Sequence, residues 1–253
     1  MQRYDIKKLA RRKKPRRRGE QVELPGIQES LGGRSAYLRA LRNMLREIKQ
    51  KAGGARNEFD LDELARVSLG LVTTAQNTVR RILDLENQRH TETFIRTARR
   101  ALGVDLRSVV LAPDMNDYLR LAAARNAGLI KNLSEDAAQR VSRTVIDAAI
   151  NGTSNAALQE TLTQQFGIVD NRARLIADDQ MAKLNSDLNR QRHTQAGITE
   201  YTWRTSRDER VRALHRSLDG RVYRYDEPTG AENGERPGQP IRCRCIAQAL
   251  VTF

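Results

Sequence analysis

Cys243 and Cys245 are the only cysteines of the chain, and they stand one residue apart in the stretch PGQPIRCRC. His215, one of three histidines, lies upstream in RTSRDERVRALHRSLDG, which follows Trp203, the only tryptophan. Two thiolates, an imidazole and a carboxylate are a donor set that zinc takes in a closed tetrahedral site. The spacing allows it. A strand over IRCRCIAQAL turns both thiols to one side, because side chains alternate with period two. A short helix capped by Ser206 or Asp208 and reaching His215 sets Asp208 two turns before the imidazole, on the same face. Asp208, His215, Cys243 and Cys245 are therefore the candidate ligands of a structural zinc, the one cofactor the sequence suggests. Arg242 and Arg244 flank the cysteines and favour their thiolate forms.

The same residues also fit a reduced core. Buried cysteines pack as small hydrophobes, and a histidine can bond a backbone carbonyl. Both readings stand at the level of sequence, whereas a disulfide between residues so close is strained. Catalysis has less behind it. A Cys–His pair with an acidic orienter can be a nucleophile, but no second histidine, paired carboxylates or phosphate-cradling glycine loop accompanies it. A metal-dependent nuclease would gather more acids than Asp208, Asp219 and Asp226. No catalytic residue is assigned, and the chain is not expected to be an enzyme.

These residues need elements to position them. ITEYTWRT, RVYRY and IRCRCIAQAL read as three strands, with Asp219-Gly220 turning between the short helix and the second strand and a Gly/Pro-rich loop over residues 227–240. Trp203 is expected to anchor a small core with Leu214, Leu218, Val222 and Ile246. Upstream, residues 35–195 read as helix after helix. Ser35 caps the first. The stripe beginning at Asp60 is interrupted by polar NQRHTET (residues 87–93), which marks either a break or a long helix leaving the body. Pro113 opens a helix to Ala127, and Ser134 with Asp136 opens another to Ile150. Two more, Ala156–Phe166 and Asp170–His193, are separated by Gly167. His90 and His193 fall on polar faces and are expected at the surface. The fold class is mostly α, with a small C-terminal α+β module.

Charge narrows the function classes. Forty-five Lys and Arg against 31 Asp and Glu leave a net charge of +14, which calls for an anionic partner. Aromatic residues at 4% are thin material for one deep core. No apolar run approaches the roughly 18–20 residues of a membrane span, and the basic N-terminus lacks the apolar segment of a secretory signal. Two neighbouring cysteines are no disulfide framework, which fits a reducing compartment. The charge concentrates in KKLARRKKPRRRGE, where Lys7, Lys8, Arg11, Arg12, Lys13, Lys14, Arg16, Arg17 and Arg18 form a block that repels itself. It is expected to be a disordered arm that grips nucleic-acid phosphates without reading sequence.

The order W-x-T-x-x-D-x-x-V-R-x-x-H, then D-G, P-G and C-R-C resembles the phage Mu F-like minor head proteins, also called phage head morphogenesis proteins. Here those positions are Trp203, Thr205, Asp208, Val211, Arg212, His215, Asp219, Gly220, Pro237, Gly238, Cys243, Arg244 and Cys245. Trp203, Arg212, Gly220, Pro237 and Gly238 are the motif residues expected to be structural. The resemblance covers roughly residues 148–250, including NAALQETLTQQFGI and RARLIADDQMAKLN. Together with the charge block and the helical periodicity, it divides the chain into a basic flexible arm (1–33), a helical region (34–147) that carries no family motif and a Mu F-like domain (148–253), helical to about 196 and α+β from 197. It implies a minor capsid protein in the interior of the phage head, assembled in the host cytoplasm beside the portal protein. Double-stranded DNA would be a partner through the basic arm, with scaffold or major capsid protein as further candidates and no membrane. Two positions depart from the family pattern: Arg236 stands where relatives often have histidine, and Asp178 where they often have arginine. The other readings are a sequence-independent nucleic-acid-binding protein outside a virion and, less favoured, a metal-assisted nuclease.

Overall fold

The computed structural model describes residues 3–54, 58–110 and 115–253. It is mostly helical with a small antiparallel sheet, the expected fold class. In chain order the elements are α1 (Ile6–Lys13), β1 (Gln21–Glu23), α2 (Leu31–Ala52), α3 (Glu58–Leu102), α4 (Asn116–Ile150), α5 (Asn155–Gln195), β2 (Glu200–Arg204), α6 (Ala213–Leu218), β3 (Val222–Arg224) and β4 (Ile246–Thr252). Among the described residues no helix is long and apolar enough to cross a membrane. The chain forms two compact units. One takes Met1–Ser30, Leu85–Asp117 and Asp179–Phe253, and the other Leu31–Asp84 and Tyr118–Asp178. These cut across the expected divisions at 33 and 147, because α3 and α5 each contribute one part to either unit.

The helices are fewer and longer than their punctuation suggested. Gly167 does not stop α5. An added Cβ there would meet nothing within 4 Å, so this glycine costs only its intrinsic propensity, about 1 kcal/mol. α2 begins at Leu31, ahead of Ser35. α4 runs through Ser134, which is buried, and Asp136, which pairs with Arg140 and Arg172 instead of capping a helix. Pro113 lies outside the described residues. The unit built from Leu31–Asp84 and Tyr118–Asp178 is a helical bundle whose apolar stripe on α2 includes Tyr37, Leu41, Met44, Leu45 and Ile48. Arg42 holds Asp170 through two bonds of 2.6 and 2.7 Å, and Arg34 reaches Asp178 at 3.5 Å.

The other unit carries the sheet, in the order β1-β4-β2-β3 with every pair antiparallel. β4 is central, and its outer neighbour β1 comes from the basic N-terminal segment, so that segment is not a free arm. Asp5 caps α1 by accepting the Lys8 N–H at 3.0 Å. The Tyr4 and Ile6 N–H groups donate to the carbonyls of Gln195 and Ala196. Ile6, Ala10, Leu24 and Ile27 are buried in one core with Phe94, Leu102, Leu106, Ile198, Val251 and Phe253. Charge alone predicts repulsion, but apolar residues at positions 6 and 10 give α1 one dry edge, and its basic residues stay outside it. Replacing Ile6 by Ala should lower stability by about 2–4 kcal/mol in urea unfolding, a loss that a disordered arm would not show.

The polar stretch NQRHTET does not break α3, and only part of it, including exposed Gln88 and Glu92, faces water. Glu86, Asn87, His90 and Thr91 are buried, as is His193 of α5, so both histidines expected at the surface are interior. His90 Nε2 lies 3.0 Å from Asn189 Oδ1, and His193 Nδ1 lies 2.6 Å from the Tyr225 hydroxyl. Buried Arg192 donates to Thr91 Oγ1 at 2.9 Å. His90, Thr91, Arg192 and His193 have each exchanged water for at least one partner, which is the condition for burying them, whereas Asn87 Oδ1 and His90 Nδ1 meet none among the described residues. Burial pushes the His90 imidazole down to about 4, with the Arg192 and Arg89 charges adding to the shift. It pushes His193 down to about 3. The unfolded chain, titrating near 6.5, then binds these protons more tightly than the folded one. Stability should be full above pH 6.5 and fall below it by about 1.4 kcal/mol per pH unit per histidine. Urea unfolding at pH 7.5, 6 and 5 measures this slope, and His193→Gln should make it shallower.

Candidate metal centre

Three of the four predicted ligands meet. His215 Nδ1 lies 3.5 Å from Cys243 Sγ and 3.6 Å from Cys245 Sγ, and all three residues are buried. The other ring nitrogen, Nε2, lies 2.6 Å from Glu232 Oε2. A carboxylate at that distance takes the Nε2 proton as a hydrogen bond, which leaves the Nδ1 lone pair facing the two sulfurs. Glu232 is the functional residue that sequence reading missed. It sits in a 3-10 turn (Glu232–Gly234) inside the Gly/Pro-rich loop, and no periodicity or spacing ties it to His215.

The fourth predicted ligand is elsewhere. The short helix begins at Ala213, after Asp208, so Asp208 and His215 do not share a helix face. Asp208 instead takes the Arg244 guanidinium through two bonds of 2.5 and 2.6 Å, which holds its carboxyl below the usual range. Nor do the cysteines stand on a strand. β4 begins at Ile246, and Arg242 adopts a left-handed φ of 59° just before them. A turn, not an alternating strand, brings both sulfurs inward. The Gly238 and Cys245 N–H groups each donate to Cys243 Sγ at 3.4 Å. Hydrogen bonding by Cys245, through side chain and backbone, and by Gly238 lowers the Cys243 thiol to about 6, while the same pairing and burial push Cys245 up.

The other motif residues hold this cluster in place. Trp203 packs edge-on to the His215 ring, with centroids 5.4 Å apart, in a core with Leu218, Ala231 and both cysteines. Leu218 joins that core as expected. Leu214 and Val222 do not, being exposed, and Ile246 is half-buried. Gly220, at φ 81°, turns the chain so that its N–H reaches the Trp203 carbonyl at 2.9 Å. Arg212 bridges Glu232, at 3.2 Å, and the Ile241 carbonyl, and so ties the loop before the cysteines to α6. The Pro237 carbonyl accepts the Ser186 hydroxyl of α5 at 2.6 Å. Arg236, the departure from histidine, pairs with Asp187 at 3.1 Å.

With this geometry in view, comparison with known proteins is informative. Residues 139–248 match the family described as Phage Mu protein F like protein. Over that stretch the chain is similar to this family. An uncharacterized protein of Haemophilus influenzae (strain ATCC 51907 / DSM 11121 / KW20 / Rd) is 32% identical over 145 residues, which are 57% of this chain and 32% of the relative. The chain thus spans about a third of the length of that curated relative. No solved structure matches significantly.

The Mu F-like stretch contains His215, Glu232, Cys243 and Cys245, whereas the nine candidate phosphate-contacting residues, Lys7 to Arg18, lie outside it. Of these, Lys8, Arg11, Arg12, Lys13, Lys14, Arg17 and Arg18 are exposed. Lys7 is half-buried, and Arg16 bonds Glu20 at 2.6 Å and lies over the Phe253 ring. Gly238 marks how tightly the cysteine loop is seated. At φ 85°, a Cβ would stand 3.0 Å from Ser186 Cβ and 3.2 Å from the Ala182 carbonyl oxygen. Gly238→Ala should therefore destabilise the protein by about 2 kcal/mol or more, read as a lower urea midpoint.

Proposed function

We propose that this chain is a minor head protein acting in phage head morphogenesis, placed inside the procapsid beside the portal protein. The observation that carries this reading is the Mu F-like match over residues 139–248, together with the placement of its motif residues around one buried cluster. A buried scaffold of that kind suits an assembly component. Among the described residues, the carboxylates beside it have structural partners: Glu232 is bonded to His215, Asp208 to Arg244, and Asp219 to the Thr205 N–H at 2.8 Å.

Packaged double-stranded DNA is the proposed partner of the basic N-terminal segment. α1 holds its residues in a fixed array, with Asp5, Lys7, Lys8, Arg11 and Arg12 lining an open groove. Anchored cations lose less freedom on meeting a phosphate backbone than cations on a loose tail, and they bind it without reading bases. Portal contact falls to the helical faces, and scaffold or major capsid protein remain further partners of the same reading.

Quantitative mass spectrometry of purified procapsids and mature heads tests the placement. The protein should be present in few copies per particle, and its absence from both would overturn the reading. For the DNA interaction, Lys8→Glu/Arg11→Glu/Arg12→Glu should weaken binding to duplexes of any sequence. The slope of log affinity against log salt should become shallower by about one for each phosphate no longer neutralised. Unchanged affinity and slope would remove DNA as the partner of α1.

A further inference from the structure

The structure assigns a zinc site: we propose that Cys243 Sγ, Cys245 Sγ and His215 Nδ1 bind one zinc ion, with Glu232 as the positioning residue that fixes the imidazole. Zinc bonds of about 2.3 Å to sulfur and 2.0–2.1 Å to nitrogen, at tetrahedral angles, set those donors about 3.5–3.6 Å apart. The nitrogen–sulfur separations here are 3.5 and 3.6 Å. The three ligand atoms all lie within 4.8 Å of one another, close enough for one ion to draw them to its coordination distances.

The bonding around the cluster points the same way. One acceptor nitrogen can satisfy one thiol, and here two sulfurs share it. Zinc with two thiolates and a neutral imidazole has no net charge, which makes the cluster cheap to bury. Glu232 at Nε2 and the N–H groups of Gly238 and Cys245 at Cys243 Sγ are the outer hydrogen bonds that orient ligands in such sites. Two sulfurs and a nitrogen exclude magnesium and calcium, which need oxygen donors. The described residues bring three protein donors together, so water takes the fourth vertex. The ion serves as a staple for a module whose own core is small.

The test uses the full chain, purified under reducing conditions, incubated with zinc and desalted. Mass spectrometry should find one zinc per chain, lost in Cys243→Ser/Cys245→Ser. Glu232→Gln should keep zinc but bind it about 10–100-fold more weakly in competition with a chromogenic chelator. Should the double variant fail to fold, cobalt substitution of the wild type decides. Thiolate-to-cobalt charge-transfer absorption and tetrahedral d–d bands support the site, and an octahedral spectrum sinks it. A folded wild type that desalts free of zinc, or a double variant that retains it, overturns the proposal. Glu232→Gln binding zinc as tightly as wild type removes Glu232 from it.

Discussion

His215 offers two ring nitrogens in opposite directions, and the C-terminal module is arranged so that both are used. Once Nε2 is engaged by Glu232, the plane and direction of Nδ1 are set, and the cysteine turn has one place to go. Each neighbouring motif residue satisfies a consequence of that constraint. α6 must present the imidazole from beneath Trp203, which the Gly220 turn arranges by returning its N–H to the Trp203 carbonyl. Arg212 holds the 232–241 loop against α6 at both ends. Pro237-Gly238 seats that loop on α5 so closely that no side chain fits. A motif spread over some forty residues is thus a single packing problem.

The sheet shows why the N-terminal segment belongs to the same module. β4 would be an edge strand if β2 were its only partner, and exposed edges invite pairing with other chains. β1 covers it through Gln21↔Thr252, Val22↔Val251 and Glu23↔Leu250. Glu23 also receives Arg204 at 2.8 Å and the Thr202 hydroxyl at 2.6 Å, which links β1 to β2 across β4. The basic residues therefore sit on structure that completes the fold. Their charge is displayed by it, not merely attached to it.

The legible part of this architecture was the part that local physics decides. Helical periodicity identified the helical body, and β-branched and aromatic residues identified the change to strands after Gly197. The chemistry of Cys243, Cys245 and His215 marked the cluster. What was missed depended on distant partners. Gly167 reads as a helix stop, and the polar stretch 87–93 as either a break or a long helix leaving the body, because glycine and polarity end or expose helices when nothing covers them. Here Asn189 bonds His90 and Arg192 bonds Thr91 in the interior, beside the buried His193–Tyr225 pair. Asp208 was assigned to the metal by a helix that begins later than its capping residues suggested, and its true partner, Arg244, lies across the module. Glu232 had no local signal at all, since only the closed loop brings it to the imidazole.

The extent of the Mu F-like match and the extent of the folded module differ, and the difference is physical. The match covers residues 139–248. The core beside the sheet also needs Ile6, Ala10, Leu24 and Ile27 from the N-terminal segment and Phe94, Ala98 and Leu102 from α3. It also needs Ala249, Val251 and Phe253 beyond the matched stretch. The small cluster around Trp203 lies entirely within the match, whereas the larger core does not. A shared motif can therefore specify the cluster's chemistry while its support is drawn from outside. The support requires only apolar residues in register, which many sequences supply, and the cluster requires particular donors at particular angles. Similarity to relatives should then concentrate where the donors are and fade where only burial is demanded.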